Sequence, residues 1–284
     1  MYISEAEQIS NPVVIGGLGG SGTRLIVQCL SESGFYIGGD LNQASDNLWF
    51  TLLFKNSDIL RISDKEFGQL MTIFLKGMRG SELFNLHELD ILERLSCQNR
   101  LQHSSAYLTQ RVYSLWANSK VNNLAGHWGW KEPNTHIVLH RLLKCFPEIK
   151  YIHVVRNGLD MAFSKNQNQL KFWGSHFYGR DVDVSAHAAL NFWCKMNKRI
   201  LDIGKTMHSN FLFLNYEHFC LKPEDGLDQL LEFADVSQSS FDRSVLLRLI
   251  KTPNTIGRFR AHDLTVFNQE DIDYVAELGF PIVP

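Results

Sequence analysis

Three short apolar runs constrain the fold of this chain more than any other feature. Val13-Val-Ile15 is bounded by Pro12 and Gly16, Lys150 to Val155 breaks into Arg156-Asn-Gly158, and Phe211-Leu-Phe-Leu214 ends at Asn215-Tyr216-Glu217. Short runs of this kind, apolar without alternation, suit strands buried on both faces. Helical periodicity separates each run from the next. Strands that alternate with helices pair in parallel through right-handed crossovers. The expected fold class is therefore α/β, a three-layer fold with a central parallel sheet.

Residues 1–284 read as one domain in which a polar lead-in of ten residues precedes the first strand. Thr23 to Ser33 carries Leu25, Ile26, Cys29 and Leu30 on one helical face, with Gly34 as a stop. Phe35-Tyr-Ile37 reads as a second short strand that ends in Gly38-Gly39-Asp40. From 44 to 122 the pattern is helical throughout (Leu48, Trp49, Leu52, Leu53; Phe67, Leu70, Met71, Phe74, Leu75; Leu89, Leu92, Leu95) and predicts a helical insertion. Strand–helix alternation resumes at Trp128-Gly-Trp130-Lys131, with a helix from Ile137 to Phe146 stopped by Pro147. Gln167 to Asp183 reads as a polar and aromatic loop, and Ala186 to Met207 as a long amphipathic helix.

Composition narrows the class. A hydrophobic share of 44% is enough for a real core. With 28 basic against 30 acidic residues the net charge is −2, so nothing global favours nucleic acid or an anionic membrane as partner. Five scattered cysteines with no C-x-x-C pair argue against a disulfide framework and a zinc site. The N-terminus lacks the basic and apolar regions of a secretory signal. No apolar run approaches the ~18 residues of a membrane span. A reduced, cytoplasmic protein without a membrane span is expected, of unknown oligomeric state.

Two motifs carry chemistry. Gly16-Gly-Leu-Gly-Gly-Ser21-Gly22-Thr23 follows a strand and opens a helix, the setting in which backbone N–H groups cradle an anion. Against G-x-x-x-x-G-K-[ST], Gly17 and Gly22 match, but Thr23 stands at the lysine, which counts against ATP hydrolysis. In Arg156-Asn-Gly158-Leu-Asp160-Met-Ala162-Phe-Ser164 a fixed cation ends a strand, and a hydroxyl is expected about two turns into the next helix. Two anion grips on one sheet ask for a ligand with two separated anionic groups.

These segments resemble the sulfotransferases that use 3′-phosphoadenosine-5′-phosphosulfate (PAPS), whose fold is P-loop-like. Ser21-Gly22-Thr23-Arg24 is similar to the family's segment for the 5′-phosphosulfate, and Arg156 with Ser164 to its 3′-phosphate segment. Phe213-Leu-Asn-Tyr216-Glu217 looks like the family's strand-ending Tyr-Glu pair, and Ile256-Gly257-Arg258-Phe259-Arg260 like the segment that closes over the nucleotide. The resemblance extends over the chain outside the helical insertion. It implies PAPS as donor cosubstrate, no metal, and Gly19, Gly20, Ser21, Gly22, Thr23, Arg24, Arg156, Ser164, Tyr216, Gly257 and Arg258 as its binding residues. Sulfonate would pass to a hydroxyl, or less readily an amine, of a carbohydrate, glycolipid or other small acceptor.

One departure stands out: Gly20 occupies the position where the family carries a cation before Ser-Gly-Thr. Arg24 and Lys131, in a Lys131-Glu-Pro segment similar to the family's K-x-P, are expected to supply that charge. Asp40 is the expected base, with Asp46 in reserve, and His127 and His136 flank Lys131 as weaker choices. Gln167, Trp173 and His176, with Asn166, Gln169 and Tyr178, are expected to meet the acceptor, partly framed by the insertion. An ATP-dependent P-loop kinase and a non-catalytic nucleotide-binding protein of the same fold remain alternatives.

Overall fold

The computed structural model describes residues 11–80, 82–120, 126–237 and 241–283. The polar lead-in and residues 121–122 of the insertion lie outside these. The centre is a four-stranded parallel sheet in the order β2-β1-β3-β4, where β1 is Val13–Gly17, β2 Gly129–Lys131, β3 Lys150–Val155 and β4 Phe211–Asn215. The register sets Ile15 beside both Lys131 and Ile152, and Val155 beside Asn215. All four carboxyl ends therefore open on one edge, where ligands of open α/β sheets bind.

Alternate residues feed two cores. Val13, Ile15, Ile152, Val154, Leu212 and Leu214 pack with α1 (Thr23–Glu32), α11 (Pro223–Phe233) and α12 (Arg243–Leu249). Val14, Tyr151 and Val155 face the other way, onto α6 (Thr135–Cys145) and α9 (Ala186–Lys205). Each fully buried aliphatic side chain, such as Ile26 or Leu139, contributes about 1.5–3 kcal/mol. The three layers and the parallel sheet agree with the α/β expectation.

The insertion comprises α2 (Leu48–Phe54), α3 (Asp64–Arg79), α4 (Leu86–Ser96) and α5 (Ser105–Asn118). Its helices start where polar caps dictate. The Asn47 side chain accepts the Phe50 N–H, and capping boxes Ser63/Glu66 and Asn85/Glu88 open α3 and α4. Such caps are worth about 1 kcal/mol each. Among the described residues no helix is long and apolar enough to cross a membrane.

Three local expectations are corrected. Phe35–Ile37 is no strand: Tyr36 makes one isolated bridge to Trp128 and the chain then turns away. The 167–183 segment is mostly the helix α8 (Asn168–Tyr178), because Leu170, Trp173 and Gly174 share a buried face that the surrounding polar residues obscure, and left-handed Gly179 stops it. The helix after Arg156, α7 (Gly158–Ala162), is too short to hold Ser164, which follows its end.

Candidate active site

The glycine loop meets the Arg156 turn through Tyr216, the first residue of α10 (Tyr216–Leu221). The ring of Tyr216 lies so close to Gly22 that a Cβ there would collide with it, and Gly22 has a left-handed φ of 100°. The other side of the site is the Arg156 guanidinium, 5.7 Å from the centroid of the same ring. Arg156 is 8% exposed. Its Nη2 donates to Thr255 Oγ1 at 2.7 Å, and its Nε stands 3.6 Å from Glu217 Oε1. Among the described residues three buried polar atoms here make no hydrogen bond: Arg156 Nε, Ser21 Oγ and Glu217 Oε2. A buried donor without an acceptor is costly unless a ligand supplies one.

The late segment is tied down by Asp160. Its carboxylate accepts the N–H groups of Gly257 at 2.8 Å and Phe259 at 3.0 Å, while Arg258 Nη1 donates to its carbonyl at 3.3 Å. Trp193 Nε1 donates to the Arg156 carbonyl at 3.1 Å, fixing the turn from below. Burial holds the Glu217 carboxyl up at about 7, against the Asn157 N–H and the Arg156 charge, which draw it down.

A cleft of about 120 Å³ lies on the β2 side, lined by Gly19, Asp46, Lys55, Gln102, Glu132, Pro133, Asn134, Asn166, Asn168, Gln169 and Phe172. Its floor is the loop after β2. Glu132 Oε2 accepts Asn134 N–H at 2.6 Å and Oε1 accepts Asn134 Nδ2 at 2.9 Å. Burial raises the Glu132 carboxyl, opposed by Lys55 and reinforced by Asp46. Lys131, 2% exposed, donates to Ala44 O at 2.9 Å and pairs with Asp46, whose Oδ2 accepts from Asn42 Nδ2 at 2.9 Å.

The sequence-predicted residues divide between these regions. Gly19 and Asn166 meet: a Cβ on Gly19 would lie 3.4 Å from Asn166 Nδ2. Ser164 Oγ accepts the Asn166 N–H at 3.2 Å, so this turn stands over the loop; among the described residues no hydrogen bond joins Ser164 to Arg156. Thr23 is buried at the start of α1, whereas Arg24 is exposed. Asp40 is bound by Arg111 Nη1 at 2.7 Å and does not line the cleft.

Trp173 is 1% exposed with its indole N–H on Asn134 Oδ1 at 2.8 Å, so it supports the floor rather than offering a free face. Gln167 turns its amide onto the carbonyls of Met161 and Ser164, and His176 is exposed outside the cleft. His136 is buried, driven down to about 3 by burial, and bonds Gln169 at 3.1 Å; His127 precedes β2 at the opposite edge. Sequence reasoning missed Lys55, Gln102, Glu132, Asn134, Asn168, Phe172 and Thr255. Only Glu132 and Asn134, flanking Pro133 beside Lys131, had a local signal.

A family model described as Sulfotransferase family matches residues 12–240. No curated protein matches the chain. Among the solved structures that share its architecture are two sulfotransferase domains. The sulfotransferase domain of the Synechococcus PCC 7002 olefin synthase aligns with TM-score 0.55 and 17% identity, over 100% of both chains. The sulfotransferase domain of the curacin biosynthetic pathway aligns with TM-score 0.50 and 16% identity, over 98% of this chain and 100% of its own.

Proposed function

Because the chain belongs to the Sulfotransferase family, we propose that it moves the sulfonate of PAPS to a hydroxyl of a small polar acceptor, a carbohydrate-like one fitting best. One observation carries the donor assignment. Tyr216 joins the glycine loop to Arg156, and on either side of it, among the described residues, Ser21 Oγ and Arg156 Nε are buried without a hydrogen bond. Two unmet donors, one at each anion grip, match a nucleotide with a 5′-phosphosulfate and a 3′-phosphate. Gly19 to Thr23 would hold the first, and Arg156, Thr255 and the Gly257–Arg258 turn the second.

The donor supplies an activated S–O bond. In transfer that bond to the 5′-phosphate breaks, a bond from sulfur to the acceptor oxygen forms, and the acceptor proton needs a base. Asp46 is the carboxylate that lines the cleft with an oxygen on Lys131, so it takes the proton in this reading. Lys131 holds Asp46 in place and brings positive charge to the strand end. Asp40, bound to Arg111, steadies the insertion instead. Charge building on the leaving oxygen is met by loop N–H groups, the term that dominates such transfers. The amides of Asn166, Asn168 and Gln102 around one ring, Phe172, favour a hydroxyl-rich acceptor, while those of Asn134 and Gln169 are held by the floor.

Calorimetry with 3′-phosphoadenosine-5′-phosphate (PAP) against ATP and Mg²⁺ tests this reading. Selective bisphosphate binding that disappears in Arg156→Ala is the expected result. Preference for ATP, or indifference to Arg156, sinks it.

A further inference from the structure

A transferring sulfonate needs a cation; Gly20 carries none, and of the two residues expected to supply it Arg24 does not line the cleft and Lys131 is already engaged. Gly20 has a left-handed φ of 97°, a conformation side chains rarely adopt, and a Cβ there would lie 3.7 Å from Met161 Cε and 3.9 Å from Asn166 Nδ2. Arg24 is exposed on α1. Lys131 is closed by Ala44 O and Asp46.

Lys55 differs. It caps the carboxyl end of α2, donating its N–H to Thr51 O, while its carbonyl accepts Arg100 Nη1 at 3.4 Å. Its side chain, 19% exposed, reaches the cleft that Gly19, Asp46 and Glu132 also line. Among the described residues its ammonium donates no hydrogen bond; the closest carboxylate oxygen is Glu132 Oε1 at 3.9 Å, already held by Asn134. An ammonium anchored at its backbone and unsatisfied at its tip, across a small cleft from the glycine loop, is placed to accept an anion.

We infer that Lys55 is the catalytic cation that grips the transferred sulfonate, supplied by the helical insertion in place of the side chain missing at Gly20. The inference rests on the PAPS reading above. Lys55 contacts the sulfonate oxygens while the bond from sulfur to the 5′-phosphate breaks and that to the acceptor oxygen forms. It takes no proton, which passes to Asp46. Glu132 keeps Lys55 aimed without closing on it.

The test needs no acceptor. Kd values for PAP and PAPS are measured by calorimetry in wild type, Lys55→Met and Lys55→Arg, with slow transfer of sulfonate to water followed as PAP formation. Lys55→Met is expected to leave PAP affinity within about twofold, weaken PAPS about tenfold and slow transfer about 100-fold, the scale of losing one transition-state donor. Lys55→Arg should recover transfer to within about tenfold of wild type, because it keeps the charge.

Wild-type PAPS affinity and turnover in Lys55→Met overturn the inference alone. So does an equal loss of PAP and PAPS affinity together with a lowered melting temperature, which makes Lys55 merely structural. Wild type that binds neither nucleotide overturns the donor reading and this inference with it.

Discussion

Arg156 and Lys131 both stand at the carboxyl end of a sheet strand, yet one keeps an open donor and the other does not. What docks against each strand end decides the difference. Facing Arg156 are the late segment, which offers the neutral Thr255 hydroxyl, and Glu217, whose nearest oxygen is 3.6 Å from Nε. Against Lys131 the insertion delivers Asp46 and the Ala44 carbonyl, and both bond the ammonium. Parallel strands ending on one edge set the positions of both cations; the element laid over them decides which one a ligand can reach. In the proposed function the β3 side is thereby a binding surface, and the β2 side a pair that positions a base.

The largest effect should come from opening that contrast at Arg156. Arg156→Ala is expected to weaken PAP binding ~100-fold or more by calorimetry, since a charge-assisted grip on phosphate is lost. On the other side, Asp46→Asn should lower kcat ~100-fold while leaving PAP affinity unchanged, the signature of a lost base rather than a lost binding group. Equal loss of binding in both variants would erase the distinction between the two strand ends.

Glu217 gives the comparison a pH axis. Its folded value of about 7 lies above the ordinary 4.5, so the folded protein keeps a proton that the unfolded chain loses first. That contribution is full below about 4.5 and is lost as pH rises through about 7, on the order of 3 kcal/mol. Denaturant titrations should show wild-type stability falling across this window more steeply than that of Glu217→Gln, which does not ionise.

Two smaller effects sharpen the picture. Asp160→Asn removes the charge behind the two N–H groups that hold Gly257 and Phe259; PAP affinity should drop ~10-fold as the late segment loosens. Trp173→Phe loses the bond to Asn134 and part of a buried ring, so it should cost about 2–3 kcal/mol in thermal unfolding and leave PAP binding untouched. A large loss of binding in that variant would return Trp173 to the ligand site.

Where the sequence could be read, a local pattern sufficed. Val13 to Ile15 and Lys150 to Val155 are apolar because both faces of a central strand are covered, and no other short element needs that. Glycine at 22 and Arg156 at a strand end were legible for the same reason: each answers to its immediate neighbours along the chain. Phe35–Ile37 misled because an apolar triplet becomes a strand only if a partner runs beside it, and only Tyr36 finds one. α8 was hidden because its buried face is narrow and polar residues, Asn168, Lys171, Ser175 and His176, occupy its exposed positions.

By itself the sequence determined the three-layer α/β plan, the glycine loop and the Arg156 turn, since backbone geometry and strand burial are encoded within a few residues. Tertiary structure alone decided that Tyr216 joins the glycine loop to the Arg156 turn, that Trp173 is floor rather than wall, that Asp46 closes Lys131, and that Lys55 and Gly19 line one cleft. Those outcomes join residues from 36 to 194 positions apart. Their pairing depends on which helix packs over which strand end, a choice made by the whole core and by no local pattern.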